Sequence, residues 1–143
     1  MTSQTYDAKR IALAQLETAL TLFHQQGDLF SVVTLAGAAE EILGRLAHRR
    51  GFGASAESLA EAASAIHKLL HGEAVPLKEF YRIANRARNS LKHLDINSAS
   101  TITMDVQQEA VDMLHRAIDN YWLVEQALTP AMEAFARAHP DAN

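Results

Sequence analysis

The sequence predicts an all-α fold, an up-and-down bundle of four to six helices, and three observations carry that expectation. Glycine (6) and proline (3) are few among 143 residues, so the chain has little of the punctuation that many short strands need. Apolar residues recur at three- and four-residue steps, the period of a helix face and not the alternation of a strand. Aromatics make up only 6% of the chain while alanine is abundant, which suits a core of aliphatic and small side chains.

The elements follow in order. From Tyr6 to Gln26 the positions Ala12, Leu13, Leu16, Ala19, Leu20 and Phe23 form one stripe of an amphipathic helix. Gly27 is placed to stop it and Asp28 to cap the next. A second helix, Leu29 to His48, carries Val32, Leu35, Ala36, Ala39, Ile42, Leu43 and Leu46 on a broad apolar face. Its Gly37, Ala38 and Ala39 leave room for another helix to approach closely. Glu41 falls on its outer side, whereas Glu40 borders the apolar face.

"RRGFGAS", from Arg49 to Ser55, reads as a loop. Ser58 with Glu61 makes a capping-box pattern for a third helix ending at Gly72. Pro76 suits the first turn of a fourth, whose apolar positions are Leu77, Phe80, Ala84, Ala87, Leu91 and Leu94. "DINSASTIT" loses the period and reads as a polar connection. A fifth helix begins near Met104, with Val106, Ala110, Met113, Ala117, Tyr121, Val124 and Leu128 on its buried side. Thr129-Pro130 then either kinks it or starts a short last helix, and "AHPDAN" reads as a frayed end. With no repeat, low-complexity tract or second core, residues 1–143 are expected to form one domain.

Bulk charge narrows the function. A net charge of −4 argues against a general polyanion binder, so a nucleic-acid partner would need a local basic patch. The absence of cysteine excludes disulfides, Cys-based zinc sites and thiol catalysis. The N-terminal segment lacks the apolar core of a signal peptide, and no stretch reaches the 18 or so apolar residues of a membrane span. A cytoplasmic protein with no membrane partner is expected.

The local basic patch lies on the fourth helix. Five cations, Lys78, Arg82, Arg86, Arg88 and Lys92, fall within fifteen residues. On a wheel at 100° per residue, Lys78, Arg82, Asn85, Arg86, Asn89, Lys92 and His93 lie opposite the apolar stripe, with Tyr81 and Arg88 at its border. A solvated helix face must be polar in any case. The concentration of positive charge in an acidic chain tilts the reading towards an anion site.

Within this patch "RNSLKH" has the form Arg-polar-x-x-x-His. It resembles the R-x4-6-H signature of the HEPN superfamily (higher eukaryotes and prokaryotes nucleotide-binding), with Arg88, Asn89 and His93 at the matching positions. Its context is also similar, late in an all-α chain, on the fourth helix, with a long helix following. The second helix, "LAGAAEEIL", looks like the corresponding helix of small stand-alone bacterial proteins of this type.

The resemblance implies a HEPN-like bundle that binds RNA or nucleotide phosphate and needs no cofactor or metal. Many members are metal-independent endoribonucleases, several of them toxins or phage-defence effectors, acting as homodimers with both motifs facing one cleft. On that pattern His93 is the general acid or base for attack of a ribose 2′-hydroxyl. Arg88 holds the phosphate through its fork of donors, and Asn89 orients His93 or the phosphate. Lys92, Arg86 and Arg82 add binding potential. Asp95 stands where some toxins carry a tyrosine that a partner nucleotidyltransferase modifies. An aspartate there either disfavours a polyanion or orients His93. An antitoxin partner is implied only by the toxin members. The alternative is a non-catalytic binding or oligomerisation module on the same fold. Because residues five apart diverge by roughly 140° on a regular helix, Arg88 and His93 share one phosphate only if His93 lies at a frayed end or a second subunit contributes.

Other candidates are weaker. His67 and His71 have the i, i+4 spacing that can share a metal, but no repeated Glu-x-x-His motif accompanies them. Asp112 and His115 form one such pair of common spacing. Adjacent Glu40 and Glu41 point about 100° apart, so a structural role is expected, as an ion pair with Arg88 or Arg45. Tyr121 and Trp122 read as core or interface before they read as a stacking surface.

Overall fold

The structure, a computed structural model, describes residues 2–51, 85–92 and 100–140. Among the described residues it holds five helices and no strand: α1 (Ala8–His24), α2 (Leu29–Arg49), α3 (Arg86–Lys92), α4 (Val106–Glu125) and α5 (Pro130–Ala138). The architecture is an all-α helical bundle. The expected third helix, with His67 and His71, and the first part of the fourth, with Lys78, Tyr81 and Arg82, lie outside the described residues. α3 starts at Arg86, inside the stretch expected for that fourth helix, with Asn85 in a turn just before it.

α1 starts where Asp7 caps it by accepting a hydrogen bond from the Lys9 amide at 2.9 Å. Its stripe buries Ala12, Leu16, Ala19 and Leu20, with Leu13 and Phe23 half-buried against the same core. The stop differs from the sequence expectation. The left-handed residue is Gln26, at φ 58°, with its amide bonded to the Phe23 carbonyl and the Gly27 amide to the Leu22 carbonyl at 2.7 Å, the double closure of a Schellman motif. Gly27 fits closely, since a Cβ there would sit 3.1 Å from both the Leu22 carbonyl oxygen and Leu22 Cδ2 and press on that residue.

Asp28 caps α2 as expected, accepting from the Phe30 and Ser31 amides. The Ser31 hydroxyl also donates to it and, as the largest cause, lowers the Asp28 carboxyl pKa below its ordinary value. α2 is the central element, packed on α1 and α4 with α3 lying against it. Val32, Val33, Ala36, Ala39, Leu43 and Ala47 are sealed from solvent. At their volumes this is the aliphatic, alanine-rich core that the composition implies.

α4 is capped by Asp105, which accepts from the Gln108 amide. It buries Ala110, Met113, Leu114, Ala117, Ile118, Tyr121 and Val124, with Val106 and Leu128 half-buried beside them. Its far end is gripped by two cations. Lys9 of α1 pairs with Glu125, whose hydrogen bond and charge raise the lysine pKa above its usual value, and Arg50 donates to the Val124 carbonyl. Thr129-Pro130 starts a separate helix and does not kink α4. Pro130 occupies the first turn, and Thr129 Oγ1 accepts from the Met132 amide at 3.4 Å. α5 buries Met132 and Phe135. Phe135 meets Phe23 edge-on at 5.5 Å and stacks on His139 at 5.0 Å.

Candidate functional site

Among the described residues the buried core is apolar but for one place, where α2, α3 and α4 meet. Glu40 of α2 is 4% exposed, Arg116 of α4 is 7% exposed and Asn120 of α4 is 0% exposed. Buried ionic groups persist only when paired, and these are. Arg88 Nη1 donates to Glu40 Oε2 at 2.8 Å. Arg116 Nη2 donates to Glu40 Oε1 at 3.1 Å and to Asn85 Oδ1 at 2.8 Å. Asn120 Nδ2 donates to the Glu40 backbone carbonyl at 3.0 Å. One carboxylate thus receives a different guanidinium on each oxygen, and Asn85, immediately before α3, is tied in by the second of them.

Glycine makes the approach possible. The Arg88 stem lies against the α2 backbone at Gly37, where a Cβ would fall 2.7 Å from Arg88 Cγ and closer still to Cδ. Arg88 Nη1 also reaches the Gly37 carbonyl at 3.4 Å, a long contact. The close approach expected at Gly37 is therefore made by a side chain of α3. The expected ion pairs are also found, Glu40 with Arg88 and, on the outer surface, Glu41 with Arg45 at 3.0 Å.

The predicted site residues are distributed as follows. Arg88 has a side chain only 13% exposed. It engages its partners through one nitrogen, and among the described residues Nε and the other amino nitrogen have no hydrogen-bond partner, while neither is sealed from solvent. Arg86 and Asn89 are exposed. Asn85, expected on the polar side, is instead half-buried against Arg116. Lys92 ends α3, and its side chain lies outside what is described, as do Arg82, His93 and Asp95.

Three members of this cluster, Arg116, Asn120 and Asn85, carry no role in the sequence reading. A signal for two of them exists. On a wheel at 100° per residue, Asn120 falls about 20° from Met113 and Arg116 about 60° from it, inside or beside the apolar stripe of α4. A polar residue at the centre of a buried stripe needs a partner. Near the same junction, burial raises the Glu109 carboxyl pKa, with Asp112 adding to the rise and Arg116 and Arg86 acting against it.

The remaining candidates separate. Asp112 accepts from Gln108 Nε2 at 2.8 Å, while His115 packs on Phe135 at 4.9 Å. Among the described residues no three His, Asp or Glu side chains gather as a metal site, and no described helix is long and apolar enough to cross a membrane. Tyr121 is buried, but Trp122 is 47% exposed. A cavity of about 840 Å³ lies between the end of α1 and α5, lined by Leu20, Phe23, Leu29, Pro130, Phe135 and His139 among others; Arg86, Arg88 and Asn89 do not line it. No protein-family model, curated protein or solved structure matches the chain.

Proposed function

We propose that the protein is a HEPN-like helical bundle that binds RNA or nucleotide phosphate through the α3 segment, with Arg88 as a phosphate ligand. The observation that supports this most is the one-nitrogen grip of Glu40 on Arg88, which leaves the rest of the guanidinium fork for an anion. Arg86 and Asn89 are exposed on the same short helix, Asn89 adding hydrogen-bonding groups next to Arg88 and Arg86 adding charge on the other side of the helix. In this reading Lys92 and Arg82 add charge, the active unit is a homodimer, and bound RNA is cut without metal. His93 then takes the proton of the 2′-hydroxyl as its oxygen attacks the adjacent phosphorus. The bond to the 5′-oxygen breaks, and that oxygen leaves with a proton, giving a cyclic phosphate and a 5′-hydroxyl.

The same ion pair favours a second reading, a binding or oligomerisation module without catalysis. A carboxylate 2.8 Å from Arg88 offsets part of the charge that a transition state would use.

Fluorescence anisotropy with a labelled single-stranded RNA, followed by gel analysis in EDTA, tests both. Wild type is expected to bind, and Arg88→Lys to weaken binding about tenfold, because an ammonium cannot bind both a phosphate and Glu40 through a planar fork. Loss of cutting in His93→Ala with binding retained supports catalysis, and binding without cutting in wild type leaves the module. Absence of RNA and nucleotide binding by wild type overturns the phosphate reading.

A further inference from the structure

We infer that Glu40, Arg116 and Gly37 are positioning residues that hold the Arg88 guanidinium in one orientation for an anion, although none of the three would touch it. The inference rests on the phosphate reading of Arg88 for its purpose, but its geometry stands apart from that reading. A free arginine has several rotatable bonds whose freedom is lost when it grips a phosphate. Here the fold imposes that order before any ligand arrives.

The restraint is built in layers. Glu40 is fixed at three points: its backbone carbonyl by Asn120, Oε1 by Arg116 and Oε2 by Arg88 itself. Arg116 is in turn fixed to Asn85, three residues before Arg88 on the same strand of chain, so the carboxylate and the start of α3 move as one body. Gly37 supplies the floor, a stretch of helix backbone with no side chain on which the Arg88 stem lies flat. Arg116 also makes the arrangement tolerant of ligand. If an anion draws Arg88 outward, Glu40 keeps a charged partner on its other oxygen, so a buried carboxylate is not stranded.

Two variants of the full chain test this: Gly37→Ala, which removes no charged group and sets a methyl against the Arg88 stem, and Arg116→Lys, which keeps the charge but replaces the guanidinium whose Nη2 reaches both Glu40 and Asn85. Circular dichroism reports helix content, ¹⁵N-edited NMR reports the Arg88 Nε–H signal (assigned by its loss in Arg88→Lys), and anisotropy reports affinity for a labelled single-stranded RNA. In wild type the Arg88 signal is expected to be sharp and displaced from those of exposed arginines. In both variants it should broaden or move to the exposed position, with helix content kept and RNA affinity reduced about tenfold, near the loss in Arg88→Lys.

A folded variant that keeps the wild-type Arg88 signal overturns the inference, whatever the RNA does. So does a variant that loses the signal yet binds RNA as wild type. If wild type binds no RNA while the signal still depends on Gly37 and Arg116, the phosphate reading fails and the purpose assigned to the three residues falls with it, leaving only their hold on Arg88. If Gly37→Ala unfolds, Arg116→Lys decides, and the reverse.

Discussion

α2 presents two different faces to the rest of the molecule. Over most of its length against α1 and α4 it packs Val32, Ala36, Ala39 and Leu43, side chains without charge. Such contacts are non-directional and tolerate small shifts. Towards α3 it offers Gly37 and Glu40, and there the contact is made by ion pairs and hydrogen bonds of fixed length and angle. The first face supplies stability. The second is a weak way to stabilise a fold, because two guanidiniums and a carboxylate must be taken out of water. What it supplies is a single permitted placement for α3. The difference explains why charge is confined to one edge of the packed surface of α2, at Gly37 and Glu40.

The sharpest way to break this contrast is Glu40→Ala. Removing the carboxylate leaves Arg88 and Arg116 facing each other across a hole, and the unfolding free energy is expected to fall by about 3–5 kcal/mol, measured by urea denaturation. Leu43→Ala tests the other face. It leaves a cavity in the dry core and is expected to cost about 2–4 kcal/mol while leaving RNA affinity per folded molecule unchanged, which is the signature that packing and site are separate. Asn120→Ala removes the hydrogen bond to the Glu40 backbone without touching a charge. A loss of about 1–3 kcal/mol is expected, together with a partial change in the Arg88 NMR signal.

The smallest effect is one of pH. Because its folded-state pKa is depressed, the Asp28 cap contributes stability that is fully present above the unfolded-state pKa. That stability is lost as pH falls through the folded-state value. A wild-type minus Asp28→Asn difference that vanishes in acid is the expected result. A difference constant from neutral pH down to pH 2 would show that the carboxylate charge plays no part in the cap.

Much of this was legible in the sequence. Helix periods place α1, α2 and α4 within two residues of their observed starts, because a buried stripe repeats wherever a helix packs on one neighbour. A structural role for Glu40 and Glu41, as an ion pair with Arg88 or Arg45, was also legible, and both pairs form. Arg116 and Asn120 were missed because their partners come from segments 31 to 80 residues away in the chain, and no local rule reports such contacts. Gln26 shows the other limit. Glycine is favoured in the left-handed region, but here Gly27 sits one residue later, close against Leu22, and glutamine accepts the unfavourable angle. His93, Lys92 and Asp95, to which the resemblance assigns the most specific roles, fall where geometry is not described.

The far end of α4 has a consequence for how the molecule comes apart. Lys9 and Arg50 bring positive charge from two different helices onto the last turn, the end that carries the partial negative charge of the helix. That end is therefore moored. The tail beyond it is not moored in the same way, since α5 is seated by only Met132 and Phe135 among its nine residues. Detaching it uncovers Met132 and Phe135 and breaks the ring contacts of Phe135 with Phe23 and His115, while the contacts among α1, α2 and α4 themselves remain. The first opening on warming is thus a peeling of the tail from a trunk that stays whole, and amide protons of residues 130–138 should exchange with solvent well before those of α2.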